Sequence, residues 1–181
     1  VHSRICRAGP QAFCVFEYIY FAREDSVING RLVASERVCL GRQLAEQVRK
    51  AGLQPDIVID VPASAYFFAS GMAEALGVPY RRGLAKNNHI GRSFIVPNQA
   101  RREKIVRQKL NPLKDVVRGR KVAVVDDSIV RGTTSKHIVK LLRESGAAEI
   151  YFVSAAPPIT YPCIYGIDMS VKREIIAAHY D

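Results

Sequence analysis

The chain has 181 residues, 48% apolar and 24% charged, a balance that suits one globular domain with a proper core. No apolar stretch reaches membrane-spanning length and no signal-peptide core opens the sequence, while four scattered cysteines without a CxxC pair point to a reducing cytoplasm. The net charge of +10 suggests nucleic acid, but Arg and Lys are spread evenly and RNA-binding aromatic motifs are missing, so a small polyanion suits the charge better.

In chain order, residues 1–34 read as an N-terminal linker arm and residues 35–181 as one domain. Within the arm, the apolar run Phe16–Ala22 predicts a strand or a packed linker, and Asn29–Gly30 predicts a tight turn. Val38, Leu40, Leu44 and Val48 predict an amphipathic helix from Ser35, its candidate N-cap, to Ala51, with Gly52 just past its end. Asp56–Val61 predicts a short buried strand, Ala63–Leu76 a helix closed by Gly77, and Val78–Ala85 a further strand. Lys86–Gln99 has no clean period and predicts a mobile loop, disordered until a ligand holds it. Arg101–Leu110 is basic and weakly helical. Lys121–Asp126 is a β-branched strand, followed by a helix with Ile138, Leu141 and Leu142 on one face, ended at Gly146, and by a last strand over Ile150–Ala156.

Strands alternating with helices imply an α/β fold with a parallel sheet covered on both faces. Ligands then sit at the carboxyl ends of the strands. Two segments lie at such ends, Asp60–Ala65 and Asp126–Thr134. The second carries the most chemistry. The apolar run of Val122, Val124 and Val125 stops at two adjacent carboxylates, Asp126 and Asp127; Ser128, Gly132, Thr133 and Thr134 then lead into a helix. Backbone N–H groups, hydroxyls and a helix N-terminus suit a phosphate, and the acids suit ribose hydroxyls or a metal. An ordinary strand–turn–helix accounts for one Asp as N-cap, but not for two acids followed by RGTT. For Asp60–Ala65 taken alone, a plain strand-to-helix turn with Ser64 as N-cap is the better reading; its spacing from the acid pair favours a functional one. His2, His137 and His179 show no partner pattern and read as surface residues.

The acid pair and its Thr/Gly-rich turn resemble the phosphoribosyl pyrophosphate (PRPP) loop of type I phosphoribosyltransferases. Four further segments, Cys14–Ser26, Asp60–Ala65, Gly83–Ile95 and Ala156–Ser170, stand in the order and approximate spacing of one family, the glutamine phosphoribosylpyrophosphate amidotransferases. The resemblance implies a type I phosphoribosyltransferase fold with a flexible catalytic loop. It implies transfer of the phosphoribosyl group from PRPP to ammonia, giving 5-phosphoribosylamine and pyrophosphate, the first step of de novo purine synthesis. Catalytic positions would be Asp126, Asp127, Lys86 and Arg92. Substrate would be held by Ser128, Ile129, Val130, Arg131, Gly132, Thr133 and Thr134 around the 5′-phosphate, and by Ala63 and Ser64 in a pyrophosphate loop. Mg²⁺ would sit near Ser64, Asp126 and Asp127.

The same resemblance implies purine nucleotides as feedback inhibitors, a homo-oligomeric full-length parent, and no nucleic-acid or membrane partner. It also implies that the glutaminase domain and the C-terminal helices of the family lie outside this sequence, so that ammonia rather than glutamine serves as nitrogen donor. Cys14 and Cys163 match two ligands of a 4Fe–4S cluster in one branch of the family, a remnant at best here, since four thiolates are the usual requirement. Asn88 and His89 stand where the family commonly has Arg and Tyr, which bears on loop closure and rate. Two other functions suit the same residues: a base-specific phosphoribosyltransferase, with Tyr80 or Tyr165 stacking on the base, and a PRPP-binding regulator without turnover.

Overall fold

The computed structural model describes residues 13–87, 110–164 and 171–179. The Asn29–Gly30 turn forms as the sequence predicts. Both residues have positive φ (50° and 76°), the conformation of a two-residue hairpin turn, and it joins β1 (Val27–Ile28) to the antiparallel β2 (Arg31–Leu32). Helix α1 (Val33–Lys50) follows at once, so Ser35 falls inside the helix and Leu32 takes the N-cap position without a side-chain bond. The hairpin, rather than a capping hydroxyl, sets where this helix begins. Its end is as expected, with Gly52 in the left-handed region at φ 69°.

The main sheet consists of β3 (Ile57–Asp60), β6 (Lys121–Asp126) and β7 (Glu149–Ser154), parallel, with β6 in the centre. Side chains on successive residues of a strand point to opposite faces. Accordingly Val58, Ala123 and Val125 pack on one face with Ala45 and Val48 of α1 and with Phe68, Ala69 and Met72 of α2 (Tyr66–Leu76). Ile57, Ile59, Val122 and Val124 pack on the other, against Ile138 and Leu142 of α3 (Thr133–Glu144). The β3 and β6 runs read as continuously apolar because both of their faces are covered. This is the α/β sheet with helices on both sides that the sequence implies.

Helix α2 begins three residues after the expected Ala63, because Pro62–Ala65 makes a turn at the end of β3; Ser64 gives no N-cap bond. The stretch Val78–Ala85 divides. Tyr80 makes a single parallel bridge to Val58, while β4 (Leu84–Lys86) pairs antiparallel with β5 (Leu110–Pro112) in a separate ribbon. Lys86, first residue of the predicted mobile loop, ends β4, and Leu110, last residue of the predicted weak helix, opens β5; residues 88 to 109 between them lie outside the described residues.

Where Phe16–Ala22 predicts a strand or packed linker, the arm is packed but not extended. Glu17–Phe21 forms a π-type turn, with the Ala22 N–H donating to the Glu17 carbonyl at 2.9 Å. The cause lies in α1. Buried Arg37 donates from Nε to the Tyr18 carbonyl at 2.7 Å and from Nη2 to the Ala22 carbonyl at 2.8 Å. Ile19 enters the core beside α1 and α2. These bonds occupy carbonyls that a strand would have given to a ladder.

Candidate functional site

The carboxyl ends of β3 and β6 open into a cavity of about 810 Å³. Its walls come from the arm (Phe16, Tyr20 to Glu24), from Arg37, from Val61–Ser64 after β3, from Lys86 at the end of β4, and from Asp126 to Ser135. Parallel pairing sets this convergence: Asp60 is in register with Val125, and the Val61 N–H donates to the Val125 carbonyl at 2.9 Å. One ladder therefore places the turn after β3 beside the acid pair.

Asp126 and Asp127 are both buried, at 8% and 6% exposure, and their backbone carbonyls are held by the Ala155 and Ala156 N–H groups at 2.9 and 2.8 Å. The Asp127 N–H donates to Asp126 Oδ1 at 3.0 Å, and the Ser128 hydroxyl donates to Asp127 Oδ1 at 2.7 Å. Burial, and then the adjacent Asp127, push the Asp126 carboxyl up to about 7. An acid in this state is ready to receive hydroxyl or cation contacts that would repay its desolvation.

Residues Ser128 to Thr134 form the loop into α3. Gly132 precedes the helix with φ 70°, so only glycine takes this conformation cheaply. Thr133 and Thr134 open the helix with exposed side chains, and its first N–H groups lack intrahelical acceptors. Hydroxyls, free N–H groups and the positive helix end face one cavity, a cradle for an anion.

Ala63, Ser64, Lys86, Asp126, Asp127 and all of Ser128, Ile129, Val130, Arg131, Gly132, Thr133 and Thr134 thus line a single site. Arg92, Asn88 and His89 lie outside the described residues, as does Tyr165. Tyr80, weighed as a base-stacking residue, donates its hydroxyl to Asp60 Oδ1 at 2.9 Å and packs edge-on to Tyr66. Burial and the neighbouring Asp60 push the Tyr80 phenol well above its usual range. Tyr80 and Asp60 together brace the turn that carries Ser64.

Sequence reasoning missed the arm wall and Arg37. Arg37 carries a weak signal: it is the lone charge among the inward positions of α1, at helical spacing from Gly41 and Leu44.

Among the described residues no three His, Cys, Asp or Glu side chains gather into a ready-made metal site. Magnesium does not need one, since it takes one or two carboxylates and completes its shell with water and substrate phosphate. The hard oxygens of Asp126, Asp127 and Ser64 in one cavity fit that requirement. A cubane needs four thiolates. Exposed Cys14 lies two residues before Phe16, and Phe16 and half-buried Cys163 pack on the same pair, Ile159 and Ile175. Cys39 is exposed on α1. Among the described residues, the segments of Cys14 and Cys163 thus meet at one small apolar cluster, with fewer thiols there than the four a cubane needs.

The family described as "Phosphoribosyl transferase domain" matches residues 34–177. The chain is 50% identical over 171 residues to the amidophosphoribosyltransferase of Synechococcus elongatus, covering 94% of this chain and 34% of that protein. It is 51% identical over 176 residues to that of Pyrococcus horikoshii, covering 97% and 38%. Among solved structures it resembles the glutamine PRPP amidotransferase of B. subtilis complexed with ADP and GMP. The TM-score there is 0.80 at 50% identity, over 92% of this chain and 36% of that one. The chain spans about a third of the length of these relatives. With the parallel sheet, the acid pair and the loop Ser128–Thr134 on one cavity, the match over residues 34–177 means that the chain belongs to the phosphoribosyl transferase domain family.

Proposed function

We propose that this chain carries the PRPP-handling part of an amidophosphoribosyltransferase. It would transfer the phosphoribosyl group to ammonia and release pyrophosphate, at the start of purine synthesis. The observation that carries this reading is the convergence of Asp126, Asp127, Ser64, Lys86 and the loop Ser128–Thr134 on one cavity. Its support from outside the chain is the 50% identity to amidophosphoribosyltransferases.

The residues divide by chemistry. The loop Ser128–Thr134 binds the 5′-phosphate through N–H groups and hydroxyls. Asp126 and Asp127 accept from the ribose hydroxyls and fix the ring. The turn Ala63–Ser64 and the amine of Lys86 face the diphosphate. In the reaction the bond from the anomeric carbon to the diphosphate oxygen breaks, a bond to nitrogen forms, and nitrogen gives up one proton. Positive charge grows on the ribose while negative charge leaves with pyrophosphate, so catalysis is mainly electrostatic positioning. Mg²⁺ at Asp126, Asp127 and Ser64 would neutralise the diphosphate. The scattered cysteines support a cytoplasmic setting, and the nucleotides bound to the B. subtilis relative support purine nucleotides as inhibitors.

The test is pyrophosphate release from PRPP and Mg²⁺ with ammonia, then with each purine and pyrimidine base. Release with ammonia alone is expected. Release driven by one base would overturn the amidotransferase reading in favour of a base-specific enzyme. Tight PRPP binding without release under any acceptor would make the chain a PRPP sensor.

A further inference from the structure

The chain from Val171 to His179 makes two short 3-10 turns, Lys172–Glu174 and Ile176–His179, that lie along the phosphate loop as a strap. The Ile176 N–H donates to the Val130 carbonyl at 2.9 Å. Fully buried Ile175 packs with Ile159 against Val130 and Phe16. A Cβ on Gly132 would stand 2.9 Å from Ile176 Cδ1, the flexible end of that side chain, so the strap lies directly against the loop. The same strap delivers a carboxylate. Arg131 Nε donates to Glu174 Oε2 at 2.7 Å, and Arg131 is also a wall of the cavity. One arginine therefore both lines the cavity and donates to the strap's carboxylate.

We propose that Glu174 is a positioning residue of the phosphate site: in the ligand-free chain it holds the Arg131 guanidinium on the strap, and an incoming sugar phosphate must compete for it. The inference rests on reading Ser128–Thr134 as the phosphate loop. Both side chains are little more than 40% exposed, at 42% and 43%. An ion pair this open is weak, whereas a phosphate dianion offers a guanidinium paired, charge-assisted acceptors. Glu174 thus keeps Arg131 at the cavity edge in a state that a phosphate can displace. Its presence sets affinity by a modest factor and guards the site against weaker anions.

The experiment is calorimetric titration of the intact chain with ribose 5-phosphate, for the unmodified protein, Glu174→Gln, Arg131→Gln and the double variant. Glu174→Gln should bind about two- to five-fold more tightly, the factor an open ion pair is worth. Arg131→Gln should bind more weakly, and adding Glu174→Gln to it should restore nothing. A gain in affinity is a readout that a loosened strap would not give. Unchanged or weaker binding by Glu174→Gln overturns the inference, as does an equal gain with Arg131 absent. If the unmodified chain binds no ribose 5-phosphate at all, the phosphate-loop reading itself fails and this inference falls with it.

Discussion

Asp126 shows how much of this site is held against the fold's own preference. Its carboxyl is pushed up to about 7 by burial and by Asp127, far above the ordinary value of about 4. The native state therefore holds this proton more tightly than the unfolded chain. Stability contributed by the protonated acid is present below about pH 4 and is lost as pH rises to about 7, after which it levels off. Asp126→Asn should remove that loss. In the absence of divalent cations the variant should be more stable than the parent at pH 8, by on the order of 2–4 kcal/mol. The difference should close toward pH 4. Chemical-denaturation curves across that range check it; an equal or lower stability of the variant at pH 8 would mean that Asp126 is charged at no cost. The acid pair was legible in the sequence, as two carboxylates where an apolar run ends. The Asp60–Tyr80 brace was not, because nothing local pairs two residues separated by a helix.

The packing of α1 on α2 turns on two glycines, neither in a turn. A Cβ on Gly41 would stand 2.1 Å from the Phe68 carbonyl oxygen, and one on Gly71 would stand 2.2 Å from that of Val38. Helix propensity alone favours Gly→Ala by about 1 kcal/mol. Here the methyl meets backbone, which cannot step aside without parting the helices. Gly71→Ala should therefore destabilise, by about 1–3 kcal/mol, the usual cost of overpacking. A raised melting temperature would show that the helices part easily enough to admit the methyl. Which parts of the fold were readable follows from the range of the forces involved. β3 and β6 declare themselves as β-branched runs because both faces are covered. β7 and the helices α1, α2 and α3 were found to within a few residues from equally local patterns. The π-type turn at Glu17–Phe21 was unreadable, since its carbonyls are satisfied by Arg37 about 15 to 19 residues on. The strap at 171–179 was equally hidden: its 3-10 turns have no period, and its ion pair spans 43 residues.

The molecule brings its cavity together from segments that the sequence keeps far apart: an arm, a turn after β3, the end of β4 and the loop into α3. The turn after β3 and the loop into α3 were legible as strand-end motifs, because their chemistry is local, while Lys86 at the end of β4 was legible only through the resemblance of its segment. The arm's share was not, because it depends on tertiary packing against α1. Under the proposed function, what unites them is one requirement, to hold a sugar phosphate and its diphosphate while positive charge develops between them. The most direct check of this account is pyrophosphate release from PRPP, Mg²⁺ and ammonia by the unmodified chain and by the double variant Asp126→Asn, Asp127→Asn. The unmodified chain should turn over, and the double variant should fall by about 100-fold or more, the scale seen when preorganised electrostatic groups are removed. Turnover by the double variant equal to that of the unmodified chain would contradict the assignment of the acid pair and, with it, the site.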